Sequence, residues 1–305
     1  MHPLISPAEL LACLDAPDLV TLDATMALPG EDFDPAQRFR QAHIPGARAF
    51  DIELFSDPDA TLPHMIPSQS RFGELARALG LSDASHIVFY DQGNAASAAR
   101  AWWLAGLFGA DRVQVLDGGL PAWQRAGGPV GQGAPATPSP GTFRPAPRFA
   151  RVRGLGDMRR IVAGRGALDV AGHGAPDIAG RGALILDARA AGRFAGTTPE
   201  PRPGVASGHM PGARNLPYGT LLDADKAFLP VPELRARFAA AGVTDDRPVV
   251  TSCGSGVSAA VLSLGLALCG REGDALYDGS WAEWGTTPGA PVETGAETGT
   301  ETRAA

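Results

Sequence analysis

The sequence contains little of three features that would each mark a particular class of protein. Its 305 residues include only three cysteines, Cys13, Cys253 and Cys269, and no Cys-x-x-Cys spacing. We therefore expect neither a disulfide framework nor a metal site, and we predict a reducing, cytoplasmic location. Basic residues number 26 against 33 acidic ones, which argues against a nucleic-acid partner. Long apolar runs are also missing, so we expect no signal peptide and no membrane partner or span.

What the chain does contain is an internal repeat. Segments of its first half recur in the second half, in the same order and at nearly constant spacing, which chance does not readily produce. The repeated pairs are residues 21–24 with 185–188, 43–48 with 209–214, 87–91 with 249–253, and 116–123 with 277–284. A chain of this length also exceeds the usual size of a single core. The sequence therefore predicts two copies of one domain, with Asp91 aligned to Cys253.

Within each copy, short apolar strands alternate with helical patterns, the latter at residues 69–79, 97–108, 232–241 and 258–269. This alternation predicts β-α-β crossovers, and hence an α/β fold in which each domain is a mostly parallel sheet flanked by helices on both faces. Composition sets the predicted boundaries: an N-terminal domain at 1–130, a linker at 131–150, a C-terminal domain at 151–288 and a mobile tail at 289–305. The glycine-rich stretch 164–182 is expected to form an extended loop.

One segment carries most of the chemistry. Residues 249–260 read Val-Val-Thr-Ser-Cys-Gly-Ser-Gly-Val-Ser-Ala-Ala, and the β-branched start predicts a buried strand. Gly254 and Gly256 allow backbone N–H groups to turn inward, and a helix is predicted to begin after them, so both features favour an anion at Cys253. We therefore expect the thiol to ionise readily and to act as a nucleophile. The alternative is a buried structural cysteine after a core strand.

Together with the Cys253 loop, several motifs of the second half resemble the tandem-domain rhodanese family, and within it the 3-mercaptopyruvate sulfurtransferases. The motifs are Asp-Ala-Arg at 187–189, Arg-Phe-Ala-Gly at 193–196, Pro-Glu-Pro-Arg at 199–202, Gly-His-Met-Pro-Gly-Ala at 208–213 and Tyr-Asp-Gly-Ser-Trp at 277–281. The resemblance covers almost the whole chain. It implies two tandem rhodanese-like domains, of which only the C-terminal one is catalytic. This agrees with a carboxylate, Asp91, at the N-terminal position that matches the cysteine.

The resemblance implies roles for individual residues as well. It makes Cys253 the nucleophile and assigns Arg193 and Arg202 to the carboxylate and keto oxygen of the substrate, a role that suits planar guanidinium groups. Surface salt bridges are the alternative for both arginines. The loop residues of the implied substrate-binding set are Gly254, Gly256, Val257 and Ser258.

A proton relay is the other implied element, because both the substrate thiol and the pyruvate enolate exchange protons as sulfur moves. The family's Ser, His and Asp fall on Ser255, His64 and Glu53, so that a glutamate stands where the family has an aspartate. Asp51 is a nearby substitute. The alternatives are an exposed loop histidine for His64 and a small turn-forming residue for Ser255.

The implied activity is a double displacement without a metal or organic cofactor. The Cys253 thiolate takes sulfur from 3-mercaptopyruvate, pyruvate leaves, and thioredoxin, a small thiol or cyanide accepts the sulfur from the persulfide. The loop residues Gly254 and Ser255 carry no charge, which favours this monoanionic donor over dianionic thiosulfate. A thiosulfate:cyanide sulfurtransferase stays the nearest alternative, and a non-catalytic rhodanese-like binding module is the alternative of another class. A cysteine phosphatase is disfavoured, because position 259 is alanine where such enzymes need arginine.

Other conspicuous residues are expected to be structural. His43 and His209 recur in both copies, including the copy without a nucleophile, so we expect them to stabilise turns. Arg189 is expected to form a structural ion pair. Cys13 and Cys269 lie in apolar helical patterns, and we expect both to be buried.

Overall fold

A computed structural model describes residues 1–135, 137–164, 182–271 and 273–295 of the chain. The strands of the first half are β1 (Leu4–Ile5), β2 (Leu19–Asp23), β3 (Arg48–Ala49), β4 (His86–Tyr90) and β5 (Val113–Leu116). The helices of the first half are α1 (Pro7–Ala12), α2 (Pro35–Gln41), α3 (Gln69–Ala78), α4 (Ala96–Leu107) and α5 (Gly119–Arg125). None of the helices in the described ranges is long and apolar enough to cross a membrane.

The second half repeats this pattern. Its strands are β6 (Val152–Arg153), β7 (Leu184–Asp187), β8 (Arg214–Asn215), β9 (Val249–Ser252) and β10 (Ala275–Tyr277). Its α-helices are α6 (Leu155–Val162), α7 (Ala191–Phe194), α8 (Val231–Ala240), α9 (Ala259–Leu268) and α10 (Ser280–Trp284), and short 3₁₀ turns lie at Phe149–Arg151 and Tyr218–Leu221. The four helices predicted from periodicity are α3, α4, α8 and α9, with bounds that differ by one residue at one or both ends.

Each half folds into a five-stranded sheet with the same strand order. The order is β1-β5-β4-β2-β3 in the first sheet and β6-β10-β9-β7-β8 in the second, and every neighbouring pair is parallel. Parallel neighbours need crossover connections, which the helices supply. Strand β9 is buried at every residue, as expected for a sheet covered on both faces. The predicted α/β fold with two domains is confirmed.

The two domains meet through helices α4 and α9. Both helices are rich in small and apolar residues, and Ala98, Ala99, Val261 and Leu262 are all at most 2% exposed. They pack against each other, and one apolar core runs through them from the first sheet to the second. Because α4 and α9 follow β4 and β9, the carboxyl ends of these strands, where ligands bind in open α/β sheets, face the boundary between the domains.

The linker and the tail lie against the domains. In the predicted linker, Gly131 pairs with His43, and Phe143 is buried in the core of the first domain. Within the predicted tail at 289–305, Glu293 pairs with His209, and the N–H groups of Ala290 and Gly295 donate to backbone carbonyls. Residues 296–305, and all but the ends of the predicted loop 164–182, lie outside the described residues.

Candidate active site

The loop between β9 and α9 is shaped by its two glycines. Gly256 has φ of +77°, in the left-handed region that favours glycine, and a Cβ added there would lie 2.9 Å from the Asp278 carbonyl oxygen. A Cβ on Gly254 would lie 2.9 Å from Nη2 of Arg193. Because Gly256 has no side chain, the loop can turn tightly against Asp278. Because Gly254 has none, the Arg193 guanidinium can approach the loop closely.

Cys253 is held at the start of this loop by its main chain. Its N–H donates to Oγ of Ser280 (3.2 Å), and its carbonyl accepts from the N–H of Trp281 (2.9 Å). Among the described residues, none accepts a hydrogen bond from the backbone N–H groups of residues 254–258. These groups lead into the N-terminus of α9, whose dipole adds positive potential. Free donors and a helix end next to a thiol form an arrangement that stabilises an anion on or beside sulfur.

The N-terminal domain holds the same loop with its donors already in use. Asp91 follows β4 as Cys253 follows β9, and its Oδ1 accepts hydrogen bonds from the N–H groups of Gly93 (2.9 Å), Asn94 (3.1 Å) and Ala95 (3.1 Å). In the repeat these residues align with positions 255–257. The two domains therefore contain one anion-binding loop in two states, filled by a carboxylate in the first domain and open beside a thiol in the second.

Cys253 faces a cavity of about 190 Å³ at the domain boundary, although the residue is only 1% exposed. The second domain lines this cavity with the cysteine loop, Arg189, Ala190, Arg193, Arg202 and Tyr218. The first domain contributes Met26, Leu28, Pro29 and His64. The thiol is thus screened from bulk water while both predicted substrate arginines share its cavity.

The structure brings the three predicted relay residues together across the boundary. Nδ1 of His64 lies 2.9 Å from Oγ of Ser255, and Nε2 lies 2.8 Å from Oε1 of Glu53. With the ring proton on Nε2 facing the carboxylate, Nδ1 accepts from the Ser255 hydroxyl. Asp51 does not take the place of Glu53, because its Oδ1 accepts from the Glu53 and Leu54 N–H groups and so closes a turn. The glutamate reaches the imidazole itself.

Burial and charge set the proton affinity of His64. The ring is 5% exposed, and burial lowers its pKa; the cations of Arg100 and Arg202 lower it further, while Glu53 acts in the opposite direction. A lowered pKa keeps the imidazole neutral at neutral pH. His64 is therefore in the state of a base and not the exposed loop histidine of the alternative interpretation.

The three arginines of the cavity differ in their partners. Arg193 forms a two-point ion pair with Glu200, Nε to Oε1 at 3.1 Å and Nη2 to Oε2 at 2.5 Å, and its side chain is 23% exposed. Arg189 is buried and binds Asp187 as well as Glu200, which is the predicted structural ion pair. Arg202 has no ion-pair partner among the described residues and has its charge available to a ligand.

The remaining predicted loop residues take different positions. Gly254, Val257 and Ser258 line the cavity. Gly256 is not among the residues that line the cavity, and its carbonyl accepts from Nη1 of Arg100 (3.3 Å). Its positive φ shapes the turn, and its contact with substrate stays a prediction.

Comparison with known proteins agrees with this geometry. The family model "Rhodanese-like domain" matches residues 6–126 and 175–287, one match in each domain. The chain belongs to the rhodanese family. It is 41% identical over 281 residues to the 3-mercaptopyruvate sulfurtransferase of Escherichia coli strain K12, covering 92% of this chain and 94% of that protein. It is 36% identical over 305 residues to the mitochondrial thiosulfate/3-mercaptopyruvate sulfurtransferase 1 of Arabidopsis thaliana, covering 96% and 78%.

A solved structure gives the same result at the level of coordinates. The crystal structure of SseA from Escherichia coli, a 3-mercaptopyruvate sulfotransferase with the rhodanese fold, superposes with a TM-score of 0.80 at 36% identity and covers 92% of this chain and 99% of that one. The match therefore extends over both domains of this rhodanese.

Several predictions about other residues can be judged in this frame. Nδ1 of His43 lies 2.9 Å from the carbonyl oxygen of Phe39, and Nδ1 of His209 lies 2.8 Å from that of Phe194. Both histidines therefore hold turns, as predicted. The predicted burial of Cys13 and Cys269 is wrong. Both are partly exposed, because each lies at the C-terminal cap of its helix and not within the buried face.

Sequence reasoning missed two buried residues that contact the loop and His64. These are Arg100 on α4 and Asp278 after β10, which form an ion pair across the domain boundary. Asp278 lies in a repeated block, but nothing in the sequence pairs it with a residue of the other domain. Among the described residues, no group of three or more His, Cys, Asp or Glu side chains is placed to hold a metal ion.

Proposed function

We propose that this rhodanese transfers sulfur from 3-mercaptopyruvate to a thiol acceptor, with Cys253 as the carrier. The observation that carries the proposal is the pair of matching loops. The donors that hold the Asp91 carboxylate in one domain are open in the other, at the position where a persulfide on Cys253 would place its outer sulfur. The names of the relatives supply the donor, since the enzyme from Escherichia coli is a 3-mercaptopyruvate sulfurtransferase.

In the first half-reaction, the Cys253 thiolate attacks the thiol sulfur of 3-mercaptopyruvate. A bond forms between the two sulfur atoms, and the bond between sulfur and the methylene carbon breaks with its electron pair staying on carbon. The sulfur is oxidised to the sulfane level and the carbon is reduced, so no external oxidant takes part. Protonation of the resulting enolate gives pyruvate, and the persulfide remains on the enzyme.

The relay moves the proton that this step requires. The substrate thiol gives its proton to the Ser255 oxygen while His64 accepts the hydroxyl proton, and the return path delivers a proton to the enolate carbon. Glu53 holds the imidazole in the tautomer whose Nδ1 faces Ser255. Thiosulfate carries no thiol proton at neutral pH, so a built relay favours the mercapto acid as donor.

Charge places the substrate. Arg202, which has no ion-pair partner among the described residues, binds the carboxylate of the substrate. Arg193 binds the keto oxygen while it stays paired with Glu200. The five free N–H groups of the cysteine loop then stabilise the sulfur anion of the persulfide. In the second half-reaction an acceptor thiolate attacks the outer sulfur, the bond between the two sulfur atoms of the persulfide breaks, and Cys253 leaves as the thiolate. We propose thioredoxin or a small thiol as that acceptor, and the cytoplasm as the location, given that all three cysteines are free.

The test measures pyruvate release from 3-mercaptopyruvate in the presence of a thiol. Wild type and Cys269→Ser should release pyruvate at equal rates, whereas Cys253→Ser should release none beyond background. Mass spectrometry after donor treatment without acceptor should show a gain of about 32 Da on the peptide that contains Cys253. Equal release by the Cys253→Ser variant would refute the proposal.

The same assay with thiosulfate separates the two donors. We expect a higher kcat/KM for 3-mercaptopyruvate, and we expect His64→Gln to reduce turnover of 3-mercaptopyruvate far more than turnover of thiosulfate. A preference for thiosulfate that survives loss of His64 would assign the chain to the alternative, a thiosulfate:cyanide sulfurtransferase. Absence of a mass gain with either donor would favour a non-catalytic binding module.

A further inference from the structure

We infer that Arg100, a residue of the non-catalytic domain, is a positioning residue for sulfur transfer, because it ties the main chain at His64 both to the cysteine loop and to Asp278. The inference rests on the proposed function for its catalytic consequence. It assigns the first domain a specific task beyond supplying His64 and Glu53.

The guanidinium of Arg100 joins three parts of the site. Nη2 donates to the carbonyl of His64 (2.6 Å) and to Oδ1 of Asp278 (2.7 Å), and Nη1 donates to the carbonyl of Gly256 (3.3 Å). The second oxygen of Asp278 accepts from the N–H of Ile66 (2.8 Å). The main chain at and just after the relay histidine is therefore anchored to one ion pair, and the turn of the cysteine loop is anchored to the same pair.

His64 needs such an anchor. Its φ of 60° lies in the left-handed region, which costs a residue with a Cβ of the order of 1 kcal/mol. A strained conformation persists only where surrounding contacts determine it. Arg100 and Asp278 are 1% and 3% exposed, so water does not compete for their hydrogen bonds. The pair is placed to hold the imidazole in register with Ser255.

The repeat provides an internal comparison. On the opposite side of the boundary, Asp117 accepts from the N–H of Phe228 (2.9 Å), as Asp278 accepts from Ile66, and Lys226 there has φ of 64°. In the repeat, Leu262 is equivalent to Arg100, because Leu262 follows Cys253 by the same number of residues as Arg100 follows Asp91. Both sides thus have the carboxylate that joins the domains, but only the side with the thiol has the arginine. The carboxylate anchor does not by itself require an arginine, so the guanidinium belongs to the site.

Electrostatics supports the same assignment. Asp117 forms no ion pair among the described residues, and burial raises its pKa. On the catalytic side the Arg100 cation contributes to lowering the pKa of His64. Several charged and titratable groups surround the imidazole in the described part of the chain. They are Glu53, Arg100, Asp278 behind that arginine, and, on the facing side of the cavity, Arg189, Arg193, Arg202, Tyr218 and Cys253.

The test compares Arg100→Gln with Asp117→Asn, which changes the carboxylate that joins the domains on the non-catalytic side. We expect Arg100→Gln to lower kcat for pyruvate release on the order of 100-fold, as small misplacements of reacting groups do, with KM within about twofold of wild type. Activity should rise with pH as His64 becomes neutral. This limb of the pH profile should move to higher pH in Arg100→Gln, because the lost Arg100 cation no longer lowers the pKa of His64. Asp117→Asn should keep wild-type kcat and pH profile.

A paired variant separates positioning from stability. Arg100→Gln leaves the Asp278 carboxylate buried without a counter-ion, which destabilises the fold, whereas Arg100→Gln with Asp278→Asn removes both charges. We expect the double variant to regain most of the melting temperature lost in Arg100→Gln but none of the lost kcat. Recovery of kcat together with melting temperature, or an equal loss of kcat in Asp117→Asn, would overturn the inference.

One readout does not depend on the donor. An NMR titration of the His64 ring should give a higher midpoint in Arg100→Gln than in wild type and no change in Asp117→Asn. If wild type released no pyruvate, the proposed function would fail while this titration still tested the contact between Arg100 and the relay. An unchanged midpoint in Arg100→Gln would overturn the inference even in an active enzyme.

Discussion

Replacing Asp91 by alanine tests the idea that the two domains hold the same anion-binding loop. The Asp91 carboxylate is 2% exposed and accepts hydrogen bonds from the N–H groups of Gly93, Asn94, Ala95 and Ala98. Alanine leaves these donors without an acceptor. Hydrogen bonds to a charged group contribute about 1.5–3 kcal/mol each, and neighbouring bonds are not additive. We therefore expect a loss of about 3–5 kcal/mol in the free energy of unfolding.

Thermal unfolding with added sulfate is the assay. A loss of this size should lower the melting temperature by about 10 °C at roughly 2–4 °C per kcal/mol. Sulfate should then raise the melting temperature of Asp91→Ala more than that of wild type, because the variant has two open loops and wild type has one. Asp91→Asn keeps one acceptor oxygen and should lose less stability. Asp111→Ala, which removes an exposed ion pair with Arg148, should remain close to wild type.

The reasoning would be refuted by either of two results. If Asp91→Ala unfolded at the wild-type temperature, the carboxylate would not be satisfying the loop donors. If sulfate raised the melting temperatures of both proteins equally, the vacated loop would not bind an anion. The second result would also remove the internal argument for a persulfide site at Cys253, which depends on the equivalence of the two loops.

Three further predictions concern the catalytic domain and its relay. Glu53→Gln removes the charge that raises the pKa of His64, so the activity limb should shift to lower pH, with kcat reduced on the order of 10-fold; the pH profile of kcat checks this. Arg202→Ala should raise KM for 3-mercaptopyruvate on the order of 100-fold with kcat less affected, as steady-state kinetics would show. Gly256→Ala places a Cβ 2.9 Å from the Asp278 carbonyl oxygen at positive φ. It should destabilise the protein by about 1–3 kcal/mol in chemical denaturation.

Local and repeated features of the sequence were sufficient for much of the fold. The β-branched run before Cys253 predicted a buried strand, and β9 is buried at every residue. Helices α4 and α9 were predicted from their apolar patterns, and the order of the repeated blocks predicted two domains. Each of these inferences depends either on residues close together in the chain or on comparison of one half with the other. None of them requires knowledge of a contact between residues far apart in the sequence.

Contacts between the domains were outside the reach of such patterns. His64 and Ser255 are 191 residues apart, and only the family resemblance placed them together. Arg100 and Asp278 are 178 residues apart, and no periodicity or spacing links them. Their pairing follows from how α4 and α9 pack, which fixes which residues of one domain face the loops of the other.

Glu200 shows a similar limit over a short distance. Surface salt bridging is the alternative role for Arg202, and Glu200 lies two residues before it, but the oxygens of Glu200 bind Arg189 and Arg193. The chain bends at Pro201 and Arg202, so closeness in sequence does not decide which way each side chain points. The glutamate binds the buried Arg189 while Arg202 lines the cavity, an outcome that adjacency in sequence does not reveal.

The two loops also indicate how the protein accommodates an open anion site. A loop with free N–H donors lacks the stabilisation that a bound anion supplies, and in the first domain Asp91 supplies it permanently. The second domain cannot use this solution, because a carboxylate at position 253 would occupy the space of the transferred sulfur. Its loop is instead held from outside, by Ser280 and Trp281 at the Cys253 main chain and by Arg100 at Gly256. Through Arg100, the first domain thus stabilises the open loop of the second domain, whereas its own equivalent loop is filled by Asp91.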